Sequence, residues 1–168
     1  MESRLKVLGH PVHPMLVMFP FGLLVTAVFF DVVDTLGGSA VFGEIAYWNI
    51  TVGLVMGLLA AIAGTFDLLA IPAGTRAKRV ALTHAAANLA VILLFAAVWA
   101  VRFNADSRAA GGALIAIEVV ALAILGVSGW LGGELVDRLG VGVDREAGLD
   151  APSSLRPPAT TTRIGEMR

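Results

Sequence analysis

Five side chains in this sequence could do chemistry inside a mostly apolar chain: His10, His13, Asp67, His84 and Glu134. Imidazole can ligate a metal, carry a proton or hold one hydrogen bond through each ring nitrogen, and carboxylates can orient it from behind. The chain has 3 histidines and 0 cysteines. Disulfides, thiolate zinc sites, cysteine-ligated clusters and cysteine nucleophiles are therefore excluded, and any metal or haem would rest on His, Met or carboxylate. The 5 methionines are scattered and make no ligand set. No phosphate-binding glycine loop, Ser/His/Asp arrangement or catalytic carboxylate pair is found, so the reading leans away from an enzyme.

The elements that must position these groups follow from composition. Of 168 residues, 57% are hydrophobic and 15% charged, and mean hydropathy is +0.83. Water-soluble domains carry near a quarter charged residues, so much of this surface faces lipid. A net charge of −1 offers no basic stripe for nucleic acid. A helix crosses hydrocarbon with about 20 apolar residues, because only internal hydrogen bonds satisfy its backbone there. Four stretches qualify, at about 14–33, 47–71, 80–103 and 111–136. Short separators at Gly37-Gly38-Ser39, Pro72-Ala73-Gly74 and Asn104-Ala105-Asp106-Ser107 force an antiparallel, all-α four-helix bundle.

Arg4, Lys6, Arg76, Lys78, Arg79, Arg138 and Arg145 flank one side, against Arg102 and Arg108 on the other. That bias predicts both termini in the cytoplasm. A cleaved leader competes for the first span, with Gly38-Ser39-Ala40 as its cleavage site, but the apolar stretch is long and holds Pro20, so retention is expected. The chain divides into a membrane domain at 1–143 and a disordered cytoplasmic tail at 144–168, where Pro152, Pro157-Pro158 and Thr160-Thr161-Thr162 cannot build a core. The change in composition begins near Gly140.

Antiparallel packing gathers the five ionisable groups. His10 and His13 start the first span, Asp67 ends the second, His84 starts the third and Glu134 ends the fourth. The prolines of His10-Pro11-Val12-His13-Pro14 suit a first helical turn, and Pro20 should loosen the helix beyond it. Gly53, Gly57, Ala60, Gly64 and Asp67 form a small-residue seam for close helix packing. His84, Asn88, Val91, Phe95 and Trp99 share one face of the third span. Three readings stay open: a plain interhelical hydrogen-bond network, a haem b or divalent-metal site on His13 and His84 with His10 as a further ligand, and a proton or solute path through Asp67, His84 and Glu134. In the cofactor reading Asp67 and Glu134 orient the imidazoles, and Trp130 covers the cofactor. Asp31 and Asp34 mark the outer boundary of the first span or rim a cation. Glu118 pairs with Arg102 or Arg108, or sits near the outer interface. Tyr47, Trp48, Trp99 and Trp130 fit interfacial anchors.

These residues carry a resemblance. Gly9-His10-Pro11-Val12-His13-Pro14-Met15-Leu16-Val17 with Phe19-Pro20, Gly64 to Asp67, Arg79 with Ala81 and His84, Gly129 to Val136 and Gly140 to Val143 resemble the DUF2231 family of bacterial membrane proteins. Asp137 departs from the aromatic residue expected there. The resemblance implies a four-helix protein of the bacterial inner membrane. Because some members are joined to a Rieske-type iron–sulfur domain, it also implies a redox protein partner. This cysteine-free sequence holds no such cluster. Beyond the lipid bilayer, a homo-oligomer is left open.

Overall fold

The computed structural model describes residues 1–103, 105 and 108–155. A short hairpin of β1 (Lys6–Val7) and β2 (His10–Pro11) precedes four helices: α1 (Val12–Thr35), α2 (Val41–Ala70), α3 (Arg76–Phe103) and α4 (Gly112–Gly133). A π-helical turn, Glu134–Arg138, extends α4. All four helices are long and apolar enough to cross a membrane. Within each span only 17–22% of residues are buried inside the chain, so an apolar medium must cover the rest. Phe29, Leu69, Leu93 and Val127 are among the exposed large side chains that form this coat.

The helices run beyond several expected boundaries. The second begins at Val41, not near Tyr47, and its polar Asn49 and Thr51 bond to Thr26 and to the Tyr47 carbonyl without interrupting the helix. The third begins at Arg76, where the Thr75 hydroxyl accepts the Lys78 N–H at 3.1 Å and caps the first turn. Lys78 then reaches back to the Leu68 carbonyl at 2.7 Å, satisfying the end of α2. Helix α1 continues through Pro20.

The bundle consists of two helical hairpins, α1–α2 and α3–α4, each more closely packed internally than against the other. The glycine seam explains the first. A β-carbon on Gly53 would lie 3.0 Å from Leu24, and one on Gly64 only 2.9 Å from the His13 ring. Midway along the bundle, Leu24, Ala27, Ile50, Val91, Phe95 and Ala121 close the core. Trp99 stacks on Tyr47 at 6.3 Å and donates its indole N–H to Thr51 at 2.9 Å.

The hairpin before α1 has a two-residue turn with positive φ at Leu8 (51°) and Gly9 (83°). Such a turn needs the left-handed region at both positions, and Gly9 is also hemmed by Ser154, 2.7 Å from where a β-carbon would be. The change of composition at Gly140 does not start a solvated extension. The Met1 amine donates to the Gly140 carbonyl at 2.6 Å, and the Gly142 N–H donates to the Met1 carbonyl at 2.7 Å. Met1 and Val141 pack on Ile71, Ala81 and Leu135, sealing this end of the bundle. Pro157-Pro158 and Thr160-Thr161-Thr162 lie outside the described residues, as do Asn104, Asp106 and Ser107 of the last interhelical separator.

Candidate functional site

His13 sits one residue inside α1 because Pro11 is extended (ψ 129°) and α1 begins at Val12. Its Nδ1 lies 2.8 Å from the Ala60 carbonyl of α2. A carbonyl only accepts, so Nδ1 carries the hydrogen and Nε2 of the neutral ring holds a lone pair. Gly64 makes this seat possible, since any larger residue would fill the space of the ring.

His84 repeats the arrangement in the other hairpin. Its Nδ1 lies 2.9 Å from the Ser128 carbonyl of α4, with the Ser128 hydroxyl at 3.1 Å. Asn88, one turn along α3, donates to its Nε2 at 3.0 Å, so both nitrogens of this ring are engaged. Gly132 provides the clearance, a β-carbon there falling 3.3 Å from the ring. The two imidazoles meet edge to face, centroids 6.3 Å apart and planes at 90°. Their contact bridges the two hairpins.

Around this pair lie two adjoining cavities of about 330 and 460 Å³. Both are walled by His13, His84, Asn88 and Ile92, and their linings are otherwise mostly apolar. The one hydrogen bond of the His13 ring among the described residues is made through Nδ1, so Nε2 remains free on this wall. A concave apolar space with a few convergent polar groups is the usual form of a small-molecule site.

The other expected site residues have different employment. Asp67 accepts from the Ser3 hydroxyl at 2.8 Å and 2.9 Å and from the Arg4 N–H at 2.6 Å. It fastens the N-terminal segment to α2 and also lines the first cavity beside His13 and His84. Glu134 pairs with Arg76 at 2.5 Å, tying the end of α4 to the start of α3. His10 is exposed on β2, its Nδ1 3.2 Å from the Leu8 carbonyl, and does not join the other two histidines. Trp130 is 67% exposed and covers nothing in the cavities. Among the described residues no three His, Asp or Glu side chains converge as a metal site. Of the five groups, His13, His84 and Asp67 line the first cavity, and the two histidines are in direct contact.

A second polar cluster occupies the opposite end of the bundle. Arg102 of α3 forks onto Asp31 of α1 at 2.7 Å and 2.9 Å, donates to the Gly43 carbonyl of α2 at 2.9 Å and reaches Glu118 of α4 at 3.4 Å. Its Nε donates to the Arg108 carbonyl at 2.8 Å. Asp31 and Glu118 are 0% exposed and Arg102 1%. Asp31, near the end of α1, is a buried ion-pair partner. Of the pairings open for Glu118, Arg102 is the one formed. A sequence signal existed: Phe95, Val98 and Arg102 continue the buried stripe of α3 by steps of three and four.

Neither a curated protein nor a solved structure matches the chain. The family model described as "Predicted membrane protein (DUF2231)" matches residues 9–145, from the hairpin glycine through all four helices. The chain belongs to that family of membrane proteins.

Proposed function

We propose that this protein is a membrane-embedded binding protein whose cavities hold an apolar molecule bearing a hydroxyl group, which donates to His13 Nε2. The observation that carries this reading is the fixed His13 ring. Ala60 holds its Nδ1 hydrogen, leaving the Nε2 lone pair unpartnered beside the two apolar cavities. A ligand hydroxyl supplies the missing donor, and its apolar body fills the remaining volume. The ligand enters from the lipid phase, where such a molecule partitions.

A haem b clamped between His13 and His84, as part of a redox-accessory module with a redox protein partner, is the second reading. It is favoured by the perpendicular rings 6.3 Å apart and by the Nδ1 contacts to backbone carbonyls, the usual support behind a ligating imidazole. It requires Asn88 to release His84 Nε2. A divalent ion fits less well, since two imidazoles fall short of the three or four protein ligands such sites use.

The proposed setting is a bacterial inner membrane with both termini in the cytoplasm. The basic residues support it more strongly once Arg102 is counted as internal, which leaves Arg108 against seven on the terminal side.

The test is purification in mild detergent, an absorption spectrum, and mass spectrometry of the organic extract. Wild type should carry a near-stoichiometric hydroxylated apolar molecule and no Soret band. His13→Phe, which keeps the apolar bulk, should weaken its affinity about tenfold, the loss expected for one hydrogen bond of about 1.4 kcal/mol, and so lower the amount retained. A Soret band abolished by His13→Ala and by His84→Ala would select the haem reading. An empty, colourless wild type would leave the imidazoles as interhelical ties, each worth about 0.6–2 kcal/mol.

A further inference from the structure

The Arg102 cluster holds two carboxyl groups and one guanidinium, all fully buried. With both carboxyls ionised it would carry a net charge of −1 with no counter-ion, and isolated buried charge is the most expensive arrangement a membrane interior can hold. The hydrogen bonds are distributed unequally. Both oxygens of Asp31 are engaged by Arg102 at 2.7 Å and 2.9 Å, the fork geometry of an ionised carboxylate. Glu118 has one long contact at 3.4 Å through Oε1, and its Oε2 is buried without a partner among the described residues. The two carboxyls share one donor, Arg102 Nη1, which lies 2.7 Å from Asp31 Oδ2 and 3.4 Å from Glu118 Oε1. Two ionised carboxylates cannot bond to each other, because both only accept.

We propose that Asp31, Arg102 and Glu118 form a proton-binding site in which Glu118 carries the proton and donates it as a hydrogen bond to ionised Asp31. One proton neutralises the cluster, gives the orphan oxygen its function and leaves the Arg102–Asp31 fork intact. A larger cation is unsuited, because the Arg102 guanidinium already supplies the positive charge that engages Asp31 and reaches Glu118. Among the described residues the other charged groups at this end are Asp34, whose Oδ2 lies 2.9 Å from the β-carbon position of Gly43, and Arg108, stacked 4.0 Å over Tyr47 and 3.8 Å from Glu44. Arg108 faces Glu44 through Nε, and its Nη1 is buried without a partner among the described residues. This site stands apart from the His13 cavities and does not depend on the binding proposal.

Infrared difference spectroscopy of the detergent-purified full chain at neutral pH tests it. Wild type should show one carboxylic-acid C=O band from a protonated side chain. Glu118→Gln should abolish that band completely while remaining folded, since the amide can donate to Asp31 in the same way. Uniform [13C]glutamate labelling, with no substitution, should shift the band, and [13C]aspartate labelling should not. The absence of any protonated-carboxyl band, or a band that moves only with aspartate labelling, would overturn the assignment. The labelling arm decides the matter even if Glu118→Gln fails to fold.

Discussion

A single β-carbon decides whether His13 can keep its seat. Gly64→Ala would put a methyl group 2.9 Å from Cε1 and Nδ1 of the ring, and the ring is held there by Ala60. The expected cost is about 1–3 kcal/mol, as for other overpacked sites, measured as a lowered unfolding midpoint in detergent. Gly132→Ala should cost less, because its clearance to His84 is 3.3 Å. The two arginine ion pairs should separate just as clearly. Arg102→Met strands Asp31 and the Gly43 carbonyl inside the bundle, and should cost about 3–5 kcal/mol, the range for breaking a buried pair. Arg76→Met removes a half-exposed partner of Glu134 and should cost no more than about 1 kcal/mol. Equal effects of the two would contradict the depths assigned to them.

At the scale of elements, the N-terminal strand pair and the segment after α4 form one unit that closes the histidine end. Asp67 anchors it through Ser3 and Arg4, so Asp67→Ala should leave the four helices intact while amide exchange at Arg4 rises at least tenfold. Its surface contacts carry a pH signature. The Lys6 ammonium, 2.6 Å from Glu2, lowers the Glu2 carboxyl below its usual range, and the Glu146 N–H with Lys6 does the same for Asp144. Glu2 in turn raises Lys6. Depressed carboxylates stabilise the folded contact above their ordinary range and lose that effect as pH falls through the depressed values. The raised Lys6 loses its contribution only as pH rises through its own range. Amide protection in residues 3–7 should therefore hold across neutral pH and decline at the acid end first. Both charge pairs are exposed, so added salt should weaken them.

For the whole molecule, the two ends of the bundle have opposite characters. One is cross-braced, since Arg102 touches all three other helices. At the other end the hairpins part around the cavities and meet through two imidazole rings. The spans, the antiparallel order and the small-residue seam of α2 were legible in the sequence, because hydropathy and small-residue spacing are local patterns. His13 and His84 were legible as groups at one depth, because short loops alternate the helix directions. The partners of Asp67 and Glu134 were not, because equal depth in the membrane does not specify azimuth around a helix. Of the clasp at the opposite end only the Glu118–Arg102 pairing was legible; Asp31 was missed, because Arg102 counted as a loop charge by position although its helical face was already that of Phe95. The return of residues 140–144 onto Met1 was hidden by a glycine-rich composition that reads as solvated chain.

The state of the three histidine rings tests the account most directly. Long-range proton–nitrogen correlation spectra of the detergent-solubilised protein should show His13 and His84 with hydrogen on Nδ1. Exhaustive delipidation should shift His13 Nε2 and leave the Asn88-bound Nε2 of His84 unmoved. A His13 ring carrying its hydrogen on Nε2 alone, or a nitrogen indifferent to delipidation, would contradict a ligand site built on that lone pair.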